Sequence, residues 1–449
     1  MRAKYLIALI LVTLPLAAQI NPAQQGPMKL SLKKAIEIAL SPEGSARVEM
    51  AQEAVKQAQA RSAQARAALL PDFEGVAGFQ DVTRSLVTQG VASVVLPFGF
   101  TLPERVGPYT VSDSRLSVQQ SVYDASAWKR YKAASALVKA AKSDIDSQND
   151  LVSAEVARAY LTALRGDAEL EAAQANIRMS EAVAAQAQRQ KDAGTGTQID
   201  ITRSRVLLAN DRQRLLVARN FRHKALLQLM RAMRMRLDME VELTDKLGYT
   251  AVDAVTLEQA RETAMKTRPD LKTELLRLDA AKLNFSAAKF ERFPTFGAQG
   301  DYGLIGWTNT KALPTRTITF GMRLPIWDGG RRDAHRAEAG TQMRQEKIRE
   351  SELRQQIELD VRVALDSLSS AEEQVKVAEE GLQLSDSELT QAQRRYEAGV
   401  AAGLEVTDAQ TRVARARDNQ IAALYNFNLS RIDLGQAMGD TRKMIPVKE

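Results

Sequence analysis

The 449-residue chain has no cysteine, only two histidines, and few aromatics, 5% of the total. Without cysteine there is no disulfide, no thiolate metal site and no lipid-bearing N-terminal cysteine. His223 and His335 are far apart and have no carboxylate partner at ligand spacing, so no metal site and no cofactor are expected. A phosphate-cradling glycine loop and a nucleophile elbow are also missing, and the sequence is read as a non-enzyme. Beyond residue 16 no apolar run is long enough for a transmembrane helix. The formal charge is +7, but basic and acidic residues alternate along the chain. That mixture suits solvated helix faces and argues against a nucleic-acid partner.

The N-terminus does carry an export pattern: Arg2 and Lys4, an apolar run from Tyr5 to Leu16, then Ala17-Ala18. Residues 1–18 read as a signal peptide cleaved near Ala18, and 19–30 as a loose lead-in. Alanine-rich composition favours long helices over a large globular core. From Gly329 to Tyr396 there is no proline, and small or apolar residues recur at alternating steps of four and three. The seam runs Ile357, Val361, Ala364, Leu368, Ala371, Val375, Ala378, Leu382, Ser385, Leu389, Ala392, Tyr396. This coiled-coil repeat, about five heptads long, predicts a helix of roughly 100 Å.

A second seam lies 205 positions earlier, from Val152 and Val156 through Ser180 to Ala187. The segments beyond it match as well. Ala193-Gly194 falls on Ala398-Gly399, and Ile199-Asp200-Ile201-Thr202 on Leu404-Glu405-Val406-Thr407. The chain reads as an internal duplication, with repeats at 31–237 and 256–438, a connector at 238–255 and a tail at 439–449.

Each repeat opens with a broken helix (the first capped by Ser31) that stops at Leu70-Pro71-Asp72-Phe73 or Phe293-Pro294-Thr295-Phe296. The period then changes from helical to two. Phe73, Ala77 and Phe79 share a face; so do Phe296, Ala298 and Tyr302. Returning strands carry Leu116, Val118, Gln120 and Val122 in one repeat, and Ile318, Phe320, Met322, Leu324 and Ile326 in the other. Between them, 80–112 read as a long loop into which the strands can extend, and 303–316 as a shorter one. Val122-Tyr123-Asp124 and Ile326-Trp327-Asp328 end the strands, each aspartate placed to cap the long helix. Those helices turn at Ala193–Thr197 and Ala398–Gly403 and return over Gln198–Leu237 and Leu404–Met438.

Nothing in the sequence covers these four strands with a second layer. Together with the export signal and the strand-end aromatics Phe73, Tyr123, Phe296 and Trp327, that favours a lipid-facing barrel wall over a soluble sheet. Four strands cannot close, and open edges are not tolerated in a bilayer. Two chains would give a barrel filled by its own side chains. Three give twelve strands and room for a channel. The competing reading is a secreted or periplasmic coiled-coil scaffold or adhesin without a pore.

The doubled order, Arg268-Pro269-Asp270-Leu271, Leu324-Pro325-Ile326-Trp327-Asp328-Gly329-Gly330, and Tyr396-Glu397-Ala398-Gly399 with Asp408-Ala409-Gln410 resemble the TolC-like outer-membrane efflux protein family across nearly all of the chain past residue 18. The resemblance implies a mainly α fold with a small β part. Duplicated helical hairpins form an α-helical tunnel, and four strands per chain enter a trimeric, twelve-stranded barrel in outer-membrane lipid. It implies an exit duct for efflux or secretion, partnered by a periplasmic adaptor and an inner-membrane pump of RND, MFS or ABC type. It also implies a periplasmic entrance at the helical turns, gated by Glu405, Asp408, Asp200 and Tyr396, with adaptor contacts at Gly194, Thr195, Gly399 and Val400. Two positions depart from the pattern. An arginine of the family's best-known member is Ala401 here and a threonine is Ile199, so the resemblance implies a weaker or differently built closing network, with Arg203 as a substitute. Glu405 and Asp408, three apart on one helix face, would place six carboxylates around a threefold axis and attract cations.

Overall fold

Ser31 caps the first helix as its position suggests, its hydroxyl accepting the Lys34 N–H at 3.3 Å. The computed structural model describes residues 27–41, 43–88, 90, 103–251, 255–307 and 311–441. The expected signal at 1–18 and the first part of the lead-in lie outside the described residues. In chain order the elements are β1 (Met28–Leu30), α1 (Leu32–Leu40), α2 (Ala46–Ala67), β2 (Asp72–Ser85), β3 (Arg105–Tyr123), α3 (Ala125–Asp192) and α4 (Gln198–Ala232). They continue as β4 (Val241–Leu243), α5 (Leu257–Thr267), α6 (Pro269–Phe290), β5 (Thr295–Gly306), β6 (Leu313–Arg323), α7 (Arg331–Glu397) and α8 (Gly403–Ala437). The series helix, strand, strand, long helix, helix therefore occurs twice.

The long helices α3 and α7 hold 68 and 67 residues, each about 100 Å at the α-helical rise. Asp124 starts α3, its carboxylate accepting the Ala127 N–H at 2.9 Å. Asp328 serves α7 across two intervening glycines, accepting the Arg332 N–H at 3.2 Å while left-handed Gly330 occupies the cap position. The heptad seam is what each hairpin buries. Ile357, Val361 and Ala364 pack on Leu434 and Ala437 of α8 and on α5. Ala371 and Val375 meet Ala423 and Phe427. Val152, Val156 and Ala163 of α3 pack with Ala225, Leu229 and Met230 of α4. Each buried Ile, Val, Leu, Met or Phe among these contributes roughly 1.5–3 kcal/mol by leaving water and each alanine methyl less, so the seam, rather than local propensity, holds these helices together.

One expectation is corrected here. The lead-in does not stay loose to residue 30: β1 pairs in parallel with β4, bringing the chain's start onto the connector. Leu30 is fully buried, and its carbonyl accepts the Tyr160 hydroxyl at 3.0 Å. The same hydroxyl donates to Asp245, which also accepts the Leu32 N–H at 2.8 Å. Burial, then the Asp245 carboxylate, hold the Tyr160 phenol well above its ordinary pKa, so it stays a donor. Within 80–112 the strands do extend, as the reading of that stretch allowed. Gln80, Asp81 and Val82 pair with Val111, Thr110 and Tyr109, so both strands run on. The second loop shortens likewise, because Gly303–Ile305 pair with Leu313–Thr315. The tail is packed at its start, where the Thr441 N–H donates to Asp150 at 3.2 Å.

β2, β3, β5 and β6 form one antiparallel sheet in that order, leaving β2 and β6 as unpaired edges.

Candidate functional site: the sheet faces and the helical turns

Alternation along the strands, multiplied by their register, sorts the sheet into two chemistries. Phe73, Val118, Gly300 and Ile318 stand in one cross-strand row, and Gly75, Leu116, Tyr302 and Arg316, its one charged member, in the next. Phe79, Leu304, Phe320 and Met322 lie on the same face, all exposed, Phe320 by 80%. The opposite face is polar: Glu74, Ser117, Asp301 and Thr317 form a row. There the Arg115 guanidinium reaches Asp113 at 2.7 Å and Asp301 at 3.2 Å. A soluble monomer does not leave so wide an apolar face uncovered. With 11 to 19 residues per strand, the sheet is long enough to cross a bilayer.

Of the four anticipated aromatics, all exposed, Phe73, Tyr123 and Phe296 stand at the helical end of the sheet, whereas β6 ends at Arg323 and leaves Trp327 in the connection to α7 rather than at a strand end. Tyr123 and Phe296 meet edge to face, centroids 6.2 Å apart. A second pair at the far end, Tyr109 and Trp307, also 6.2 Å apart, escaped the sequence reading because both residues lay in stretches read as loop. The sheet thus carries aromatics at both margins, as lipid-facing strands do.

At the other extremity the two hairpins reverse. Gly194 and Gly399 adopt φ of 78° and 72°, a left-handed conformation that glycine takes without steric penalty. The Thr195 and Gly194 N–H groups donate to the carbonyls of Gln190 and Lys191, each at 2.9 Å, and those of Val400 and Gly399 to Arg395 and Tyr396 at 3.0 and 3.1 Å. Both are Schellman closures. The two returning helices start differently. Thr197 and Asp200 form a reciprocal capping box at the start of α4, whereas α8 begins after Ala402 with no side-chain cap.

Of the four residues expected at the entrance, the structure brings Asp200 and Tyr396 together around the first residue of α8. A Cβ built on Gly403 would stand 3.2 Å from Asp200 Oδ1 and 3.5 Å from Tyr396 Cε2. Tyr396 is buried with Val183, Leu389, Ala392, Val406, Ala409 and Val413. Its phenol pKa is raised, first by burial and then by the Asp200 charge. Glu405 pairs with Arg395 at 3.3 Å. Asp408 is exposed one helical turn further along α8.

A sheet with one face ready for lipid, mounted on helices about 100 Å long, defines a class: outer-membrane channel proteins whose helices project through the periplasm. The family model described as outer membrane efflux protein matches residues 40–233 and 260–440, and the chain belongs to that family. It is 27% identical over 408 residues to the pyoverdine export outer membrane protein OpmQ of Pseudomonas putida, spanning 86% of this chain and 81% of that protein. It is 24% identical over 328 residues to the alkaline protease secretion protein AprF of Pseudomonas aeruginosa, spanning 70% and 66%. Among solved structures, the outer membrane protein VceC of Vibrio cholerae has the same fold, with a TM-score of 0.77 at 17% identity over 91% of this chain and 96% of that one. The chain is an outer-membrane exit duct, a channel protein like its relatives, with its helical part in the periplasm.

Proposed function

We propose that three copies close around one axis, the sheets forming a twelve-stranded barrel and the hairpins a periplasmic tunnel that a pump fills from below. The observation that carries this is the sheet itself: an exposed apolar face, an ion-paired polar face and two open edges. β2 and β6 run in opposite directions, so β6 of one copy meets β2 of the next antiparallel, and every backbone group finds a partner. The open-edged monomer has no such solution in lipid.

In this reading the turn residues Gly194, Thr195, Gly399 and Val400 face a periplasmic adaptor that couples the duct to an inner-membrane pump. Glu405 and Asp408 line the entrance, while Asp200 and Tyr396 hold the start of α8 in place. Because α8 lacks the side-chain cap that fixes α4, the second turn is the one that yields when the entrance opens. OpmQ and AprF are named for different cargoes, pyoverdine and a protease; the duct proposed here likewise carries what its pump delivers. Single-channel recording in planar bilayers tests the entrance: Glu405→Ala with Asp408→Ala is expected to lower cation preference several-fold while preserving conductance. Unchanged selectivity would remove both carboxylates from the constriction.

A further inference from the structure

Charge is segregated between the two hairpins in a way that net composition conceals. Along α4, residues 203–224 hold Arg203, Arg205, Arg212, Arg214, Arg219, Arg222 and Lys224 against the single acid Asp211. Along α7, residues 366–388 hold Asp366, Glu372, Glu373, Glu379, Glu380, Asp386 and Glu388 against the single base Lys376. α4 packs on α3 through Ile201, Ser204, Asp211 and Ala218, and a groove toward α8 is lined by Asn210, Arg214 and Val217. At 100° per residue, the face that neither α3 nor α8 covers carries Arg205, Ala209, Arg212, Leu216 and Arg219, all exposed. On α7, away from its buried seam, the solvent side carries Asp366, Glu373, Val377, Glu380 and Leu384, again all exposed, with Glu373 and Val377 also bordering a groove toward α8. Leu216 and Val377 are 64% and 69% accessible.

These two faces match in spacing as well as in charge. Arg212 and Arg219 are seven residues apart, as are Glu373 and Glu380. If α4 of one copy lies antiparallel to α7 of another, Arg212 meets Glu380, Arg219 meets Glu373, and Leu216 falls beside Val377. That register also sets the two hairpin turns at one level, as the β6-to-β2 closure of the sheet requires. Glu373 and Glu380 have no ion pair within 4 Å among the described residues, nor has Arg219, and Arg212 has only an exposed contact with Glu181 at 3.4 Å. The same charges forbid the symmetric alternatives, since α4 against α4 or α7 against α7 would align like charges.

We propose that the α4 face of each copy docks on the α7 face of the next as a basic-to-acidic heptad zipper, and that this pairing fixes the head-to-tail order of subunits in the tunnel. The proposal rests on the trimeric reading above and adds which surface meets which. Complementary charge steers such an encounter and disfavours wrong pairings.

The full chain, extracted from outer membranes in detergent, tests it. Glu373→Lys with Glu380→Lys is expected to reduce the assembled fraction about tenfold or more, and Arg212→Glu with Arg219→Glu to do the same. Combining all four changes is expected to restore assembly to near the starting level. Assembly indifferent to either double reversal, or a fourfold variant no better than the doubles, would overturn the pairing. A second test avoids any folding defect, because the chain has no cysteine of its own. Leu216→Cys with Val377→Cys should oxidise to closed covalent oligomers, and neither single variant should cross-link. Cross-linking by a single variant, or none by the pair, refutes the pairing but leaves the duct standing. A starting chain that never assembles refutes both.

Discussion

Replacing Arg268 by alanine is expected to destabilise the helical body by about 3–5 kcal/mol, the range for breaking a buried ion pair by removing one partner. Arg268 stands where α5 ends and Pro269 starts α6, with only 13% of its side chain exposed. Its guanidinium holds both Asp270 oxygens, at 3.1 and 2.7 Å, reaches Asp360 of α7 at 3.0 Å and donates to the Ala437 carbonyl at the end of α8 at 3.3 Å. One planar fork therefore ties the break between α5 and α6 to two other helices. The alanine variant takes the shared cation from two half-buried carboxylates, which keep only the Leu271 N–H and the Gln356 amide as donors, and removes the donor to a helix-terminal carbonyl. Arg268→Lys keeps the charge but loses the fork, so it should fall between. Thermal unfolding of the detergent-solubilised protein reads the difference. An alanine variant within about 1 kcal/mol of the parent, the range of an exposed ion pair, would show that the interaction is incidental.

The second large effect is expected at the turns. Tyr396→Ala empties the centre of the cluster that joins α3, α7 and α8 at their far ends, at a cost of about 3–5 kcal/mol for a buried aromatic. The loss should stay local. Amide exchange should accelerate in 389–413, near the uncapped start of α8, and leave the Leu30 and Tyr160 region unchanged. Tyr396→Phe keeps the ring and the packing and should resemble the parent. If the entrance is held shut by this packing, the alanine variant also leaks current in bilayers where the phenylalanine variant does not. Equal exchange at both ends of the helices in Tyr396→Ala would mean that the cluster is not a separate unit.

Periodic features of the fold were legible, and the rest depend on long-range pairing. The heptads from Ile357 to Tyr396 announce α7 because one buried face repeats every seven residues. The prolines at 71 and 294 mark the change to strands because proline ends a helix. Three-residue strands have no period to detect, so the partnership of Met28–Leu30 with Val241–Leu243 needed the folded chain. How far β2 and β3 extend could not be bounded for a related reason: glycine and proline between 96 and 108 look like loop residues, while cross-strand register decides how far pairing continues.

At the helical turns, sequence reading placed the two glycines, and Asp200 and Tyr396, named from the family resemblance, lie side by side in the fold. It missed that Asp200 is half of a capping box with Thr197 and that Glu405 pairs with Arg395. The first was hidden behind a family role, the second behind a helical turn that only the folded hairpin closes. Charge segregation between α4 and α7 was missed because both helices alternate sign elsewhere, and a whole-chain balance averages them.

The mass of the protein taken gently from outer membranes, measured by native mass spectrometry after removal of detergent, bears most directly on closure of the wall. This account requires one species of three chains, converted to single chains on heating. Single chains recovered from a soluble periplasmic or secreted fraction, or a membrane species of any other number, would contradict it.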